Sequence, residues 1–158
     1  MPITTEEKLV NRLIEKGYHI ACAESCTGGL IAASIVNVAN ASRVLDVSFV
    51  TYANEAKTKY LGVSPDTIAQ YDVVSEQVVA EMAAGVAKQA GCEIGVATSG
   101  VAGPSGGTEE IPVGTVCFGF YVNGSVTTAT MHFPALSRNE VRTKSTEYAI
   151  HHLLTLLN

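Results

Sequence analysis

The chain has 158 residues, of which 47% are hydrophobic, 16% charged and 6% aromatic. Ten Lys and Arg against fifteen Asp and Glu leave a net charge of −5. That balance, with no basic cluster to offset it, excludes a nucleic-acid backbone as the main partner, and the low charge content excludes coiled coils and disordered tails. No apolar run approaches the roughly 20 residues of a membrane span, and the first eight residues carry no signal-peptide pattern. A soluble cytoplasmic protein with one domain over residues 1–158 is therefore expected. Cys22, Cys26, Cys92 and Cys117 suit that compartment as free thiols. None of His19, His132, His151 or His152 pairs with them in a zinc-like pattern, so neither a metal nor another cofactor is expected.

Thr4-Thr5-Glu6-Glu7 can cap a helix whose apolar face is Leu9, Val10, Leu13 and Ile14 and which Gly17 closes. Residues 18–23 read as a short buried strand, and Thr27-Gly28-Gly29 leads into a helix over Leu30–Val36. A second strand is expected over 47–52, then a helix from Asn54 to Leu61 stopped by Gly62. Ser64-Pro65-Asp66 starts a short helix with proline at its first position. Ser75 caps a longer one over Glu76–Ala90, ended by Gly91. Ile94 to Ser99 is an apolar strand running into the glycine-rich segment 100–108. Strands over 114–122 and 125–133 flank Asn123-Gly124, a strong hairpin signal, and a last helix spans 137–157. The alternation predicts an α/β protein with a mixed sheet covered by helices.

In such sheets the site lies beyond the carboxyl ends of strands. Three segments qualify. In Ala23-Glu24-Ser25-Cys26-Thr27-Gly28-Gly29, a serine on a strand-to-helix turn can act as a nucleophile beside backbone N–H groups; Ser25 or Thr27 can equally be a helix cap. In Thr51-Tyr52-Ala53-Asn54-Glu55-Ala56-Lys57, the lysine sits near a helix start, where the local positive field, like burial, would lower its pKa and make it a base. The plain alternative is a solvated lysine. The loop Gly100–Thr108 can approach an anion through its glycines, or serve only as a connection. It is neither a Walker loop nor a dinucleotide fingerprint. Arg138 and Arg142 share a helical face and can reach a phosphate or carboxylate, or simply be surface charges.

Taken in order, these stretches resemble the C-terminal domain family of the CinA competence/damage-inducible proteins, which includes stand-alone nicotinamide-mononucleotide amidases. The match adds Val74-Ser75-Glu76, Ser99-Gly100-Val101-Ala102-Gly103-Pro104, and Gly106-Gly107-Thr108-Glu109-Glu110 with Pro112-Val113-Gly114-Thr115. The resemblance runs from about Glu7 to the C-terminus. It implies a three-layer α/β/α sandwich with a mixed, mostly parallel sheet including one hairpin. It also implies hydrolysis of nicotinamide mononucleotide to nicotinic acid mononucleotide and ammonia in NAD recycling, without metal. By position, Ser25 would be the nucleophile, with Lys57 and Tyr52 completing the catalytic group. Substrate contacts are expected from Thr27, Gly28, Gly29, Ser42 and Asn54, from Gly100, Gly103, Gly106, Gly107 and Thr108, and from Arg142. The resemblance also weights a homodimer.

The chain departs from the family's usual pattern at several points. Asn40 and Ala41 replace a glycine and a serine, leaving Ser42. Val47-Ser48 stands for arginine and glycine, Asp72-Val73 for Gly-Ala, and Ile111 for a lysine. These changes are expected to narrow the pocket and weaken phosphate binding. The alternative function is an inactive or substrate-shifted relative that binds a nucleotide.

Overall fold

The computed structural model describes residues 1–158. The first helix, α1 (Thr5–Lys16), opens on a reciprocal capping box between Thr4 and Glu7 and closes on left-handed Gly17. The chain then forms β1 (Ile20–Glu24), α2 (Leu30–Val36), a 3₁₀ turn at Ala41–Arg43, and β2 (Phe49–Val50). Next come α3 (Asn54–Leu61), α4 (Pro65–Tyr71) and α5 (Glu76–Ala90). β3 (Ile94–Gly100), β4 (Thr115–Val122), β5 (Ser125–His132) and α6 (Arg138–Leu156) complete the chain. Ser64, Ser75 and Ser137 cap α4, α5 and α6 through their hydroxyls, as their positions predict. Asn123 and Gly124 both have positive φ, as the tight β4–β5 hairpin requires.

Two strands differ from expectation. β1 starts at Ile20 because the Tyr18 N–H returns to the Leu13 carbonyl, completing the closure of α1, while the His19 N–H donates to Glu93. β2 is only two residues long. Upstream of it the Ser48 hydroxyl takes the Cys22 N–H in place of a backbone carbonyl.

The strand order is β2-β1-β3-β4-β5. β1 is parallel to both β2 and β3, while β4 is antiparallel to both neighbours. Four strands thus point one way and β4 alone opposes them, giving a mixed, mostly parallel sheet with one hairpin. One core, with Leu9, Leu13, Ile31, Ile150 and Leu153 against Cys22, Phe118 and Phe120, lies between the sheet and α1, α2 and α6. A second, with Leu61, Val79, Met82 and Val86 against Ala21, Ala23 and Ala97, covers the other face with α3 and α5. These are the three layers of an α/β/α sandwich.

The second layer packs unusually close. A Cβ on Gly95 would strike the Ala83 carbonyl, one on Gly119 the Val79 carbonyl, and one on Gly85 the Leu61 carbonyl. Glycine at β3, β4 and mid-α5 lets α5 rest directly on the sheet backbone and α3 on α5.

From β1 the chain turns outward to β2, then crosses β1 to reach β3 on its other side. The carboxyl ends of β1 and β3 therefore flank the point where strand order reverses, the usual place for a ligand crevice. No helix is long and apolar enough to cross a membrane.

Candidate active site

Three chain segments meet at that point around a pocket of about 360 Å³, within the range of small-ligand sites. The turn after β1 supplies Ser25 and Cys26, the start of α3 supplies Asn54 and Lys57, and the loop after β3 supplies Gly100, Gly103, Gly106 and Thr108. Tyr52 and Arg138 stand in the same wall.

Lys57 is the most unusual group in the molecule. It is 1% exposed and makes no salt bridge. A fully buried lysine without a carboxylate is rare, because its ammonium gives up hydration without a compensating charge. Its Nζ lies 2.7 Å from the Thr51 carbonyl, 3.5 Å from the Tyr52 carbonyl and 3.3 Å from Ser25 Oγ. Burial pushes its pKa below the ordinary lysine value. The structure thus rejects the solvated lysine and joins Ser25 and Lys57 directly.

Ser25 sits on a tightly braced turn. Glu24, 1% exposed, turns its carboxylate back over the start of α2, accepting from Thr27 Oγ1 (2.6 Å) and from the N–H groups of Gly29, Ile31 and Ala32. The Arg142 guanidinium holds the other side, donating to the carbonyls of Cys26 (2.9 Å) and Thr27 (3.3 Å) and to Asn139. Within the turn, Gly28 N–H donates to the Ser25 carbonyl. The N–H groups of Cys26 and Thr27 donate to no backbone or side-chain oxygen, although both residues are buried. Unspent amides in buried residues are uncommon, and these two directly follow the serine. The Cys26 thiol, beside Ser25 in the wall, is pushed up to about 11 by burial and stays protonated.

Several of the expected substrate contacts stand outside the pocket. Thr27 is fully buried with its hydroxyl committed to Glu24, so its side chain is not free for a ligand. Gly28 and Gly29 lie outside the pocket wall, and the Gly29 amide is spent on Glu24. Arg142 braces the turn instead of facing the pocket. Gly107 does not line it either; a Cβ there would come within 2.7 Å of the Val113 nitrogen, so this glycine permits the loop to fold on itself. Ser42 lies exposed on the 3₁₀ turn, two residues before Val44, whose carbonyl accepts from Ile20 at the opposite end of β1. Asn40, Ala41 and Val47 likewise lie outside the pocket wall.

Of the departures noted above, only Asp72, Val73 and Ile111 line it. Asp72 is its one carboxylate and adopts φ 66°, ψ 169°, a region that glycine alone occupies freely. Tyr52 lines the pocket, but its hydroxyl accepts from Arg138 (3.0 Å) and is not placed between Ser25 and Lys57. Arg138, offered with Arg142 as a group that can reach a phosphate, also donates to the Gly103 carbonyl (2.7 Å), so its charge meets only neutral acceptors. Its (i, i+4) spacing to Arg142 was the available signal, but only packing shows which arginine the turn consumes.

The nicotinamide-nucleotide amidohydrolase PncC of Enterobacter agglomerans is 51% identical over 136 residues, covering 85% of this chain and 82% of that protein. A CinA-like protein of Kosmotoga olearia is 46% identical over 92% of this chain, which spans only 35% of that relative. Among solved structures, a competence or damage-inducible protein from Enterobacter asburiae superposes with a TM-score of 0.93 at 37% identity, covering 99% of this chain and 100% of the other. One from Agrobacterium tumefaciens gives 0.91 at 36% identity, with both chains fully covered. The family model of the CinA C-terminal domain matches residues 3–157, and the chain belongs to that family.

Proposed function

We propose that the chain is an amidohydrolase that converts nicotinamide mononucleotide to nicotinic acid mononucleotide and ammonia, a step of pyridine-nucleotide recycling. The observation that carries this reading is a buried, carboxylate-free lysine 3.3 Å from a serine hydroxyl at a strand-to-helix turn. The name and close similarity of the Enterobacter agglomerans relative support the substrate.

With Lys57 neutral, the Thr51 and Tyr52 carbonyls take its two hydrogens, and its lone pair accepts the Ser25 O–H. Ser25 Oγ attacks the carboxamide carbon as its proton passes to Nζ. The oxyanion that forms is met by the Cys26 N–H; one such donor typically lowers the barrier by about 3 kcal/mol. The Lys57 ammonium then protonates the departing nitrogen, the amide C–N bond breaks, and ammonia leaves Ser25 esterified by the acyl group of the mononucleotide, its ribose phosphate still attached. Water gives a proton to Lys57 and attacks the ester, and the second intermediate returns the Lys57 proton to Ser25 Oγ as the acid departs. The direct Ser25–Lys57 contact leaves Tyr52 a positioning part, through Arg138 and the pocket wall.

The phosphate of the substrate docks on Arg138, the guanidinium in the wall with no anionic partner. Arg138→Ala is expected to raise KM for nicotinamide mononucleotide about tenfold to a hundredfold, the value of a charge-assisted hydrogen bond, with a smaller loss in kcat. Unchanged KM would move the phosphate elsewhere.

The reading is tested by incubating the protein with nicotinamide mononucleotide and measuring both products, which should form in equal amounts. Asp72 and Ile111 in the wall favour a second reading, a relative that binds a nucleotide without this turnover. Thermal stabilisation by the nucleotide with no ammonia released would select it.

A further inference from the structure

The hydroxyls behind Ser25 form a chain whose direction can be worked out. Both oxygens of Glu24 accept from backbone N–H groups, Oε1 from Gly29 and Ile31 and Oε2 from Ala32, so the 2.6 Å contact with Thr27 is donated by the threonine. That spends the one hydroxyl hydrogen of Thr27. The 2.9 Å contact between Thr27 Oγ1 and Thr98 Oγ1 must then be donated by Thr98. Thr98 Oγ1 is left as an acceptor, and it receives the Ser25 N–H at 3.4 Å. The sequence of donors is Ser25 N–H to Thr98, Thr98 O–H to Thr27, and Thr27 O–H to Glu24. Glu24, Thr27 and Thr98 are each no more than 1% exposed, and none of the three lines the pocket.

We infer that Thr98 and Thr27, anchored on Glu24, are positioning residues that hold the Ser25 backbone so that its hydroxyl faces Lys57 and the following amides stay unspent. Three consequences follow from the chemistry. Polar groups aligned in a buried chain polarise one another, so the contacts act as one unit. Satisfying the Ser25 N–H from behind keeps it from competing for the pocket-facing acceptor. Filling the α2 N-terminus with the Glu24 carboxylate removes that helix end as an anion site. The inference rests on Ser25 and Lys57 being the reacting pair of the proposed amidase.

The test uses a small alkyl fluorophosphonate, which phosphonylates an activated serine: the Ser25 Oγ–P bond forms, fluoride leaves, and the hydroxyl proton goes to Lys57. Labelling is followed by intact mass. Thr27→Val and Thr98→Val are each expected to slow labelling about tenfold, and the double variant to be no more than about twofold slower than the slower single variant, because the hydroxyls work in series. Thr27→Ser and Thr98→Ser keep the hydroxyl and should label within about twofold of wild type. With nicotinamide mononucleotide, kcat should fall about tenfold in the valine variants while KM changes less than about threefold.

Losses that multiply in the double variant, or a folded serine variant as slow as its valine counterpart, would overturn the inference. So would a wild type that does not label at all. If a valine variant fails to fold, the two serine variants still decide the matter, since slow labelling in either contradicts the role assigned to the hydroxyl. Labelling needs no amide substrate, so a wild type that labels but releases no ammonia would remove the amidase reading and leave the hydroxyl chain standing.

Discussion

Lys57→Met is expected to lower amide hydrolysis about a thousandfold while leaving the protein folded, within the range that a positioned general base supplies. Methionine matches the four-atom apolar stem of the lysine but brings no basic nitrogen to the Ser25 hydroxyl, and no other base is hydrogen-bonded to that oxygen. A neutral-lysine base also makes the rate depend on pH. Because burial lowers the Lys57 pKa, wild-type activity should rise with pH and level off below the ordinary lysine value of roughly 10.4. A rate independent of pH on that side of neutrality, with chemistry rate-limiting, would count against a neutral-lysine base.

Stability should follow the opposite member of the same linkage. The folded-state pKa lies below the unfolded one, so between the two values the unfolded chain binds more protons and stability rises with pH. Below the folded pKa the cost of burying the ammonium is complete. Wild type should therefore gain Tm relative to Lys57→Met as the pH is raised through that window. A gap that stays constant between neutral and alkaline pH would contradict the burial argument.

Gly119→Ala should destabilise the fold by about 3 kcal/mol, the upper part of the overpacking range, and lower Tm by about 6–12 °C. The added methyl would occupy the space of the Val79 carbonyl oxygen on α5, and behind it lies the Ala83 side chain. Neither neighbour is the free end of a flexible side chain. α5 must therefore lift off β4, which would also open the contact between the Ala83 carbonyl and Gly95 on β3. A melting temperature within a degree of wild type would show that α5 does not sit as close to the sheet as its backbone contacts require.

The elements were legible where local chemistry decides them. Ser64-Pro65, Ser75 and Ser137 announced helix starts, Gly62 and Gly91 helix ends, and Asn123-Gly124 the hairpin. Ser25 and Lys57 were legible as residue types at strand-to-helix turns, yet nothing in their sequence neighbourhoods shows that Lys57 loses its solvent or that its amine turns back on Thr51. Glu24 illustrates the limit in the other direction. A glutamate ending a buried strand looks like a surface residue, and only the path of the chain after Thr27 brings three amides and a hydroxyl onto its carboxylate. Arg142 and Arg138 are equivalent by spacing. One turn of helix separates them, and Arg138 stands in the pocket wall while Arg142 is spent on the carbonyls of the nucleophile turn. Ser42, expected at the site from the resemblance, stands away from it because the chain after α2 returns to the start of β1, where the Val44 carbonyl accepts from Ile20.

The most direct test of the account is acid-quenched mass spectrometry of the protein during turnover of nicotinamide mononucleotide, with Ser25→Ala alongside and ammonia measured in both. Wild type is expected to carry the mass of one nicotinic acid mononucleotide acyl group, ribose phosphate included, on the peptide containing Ser25 and to release ammonia, with neither signal from Ser25→Ala. Ammonia released by folded Ser25→Ala at a rate near that of wild type would contradict it.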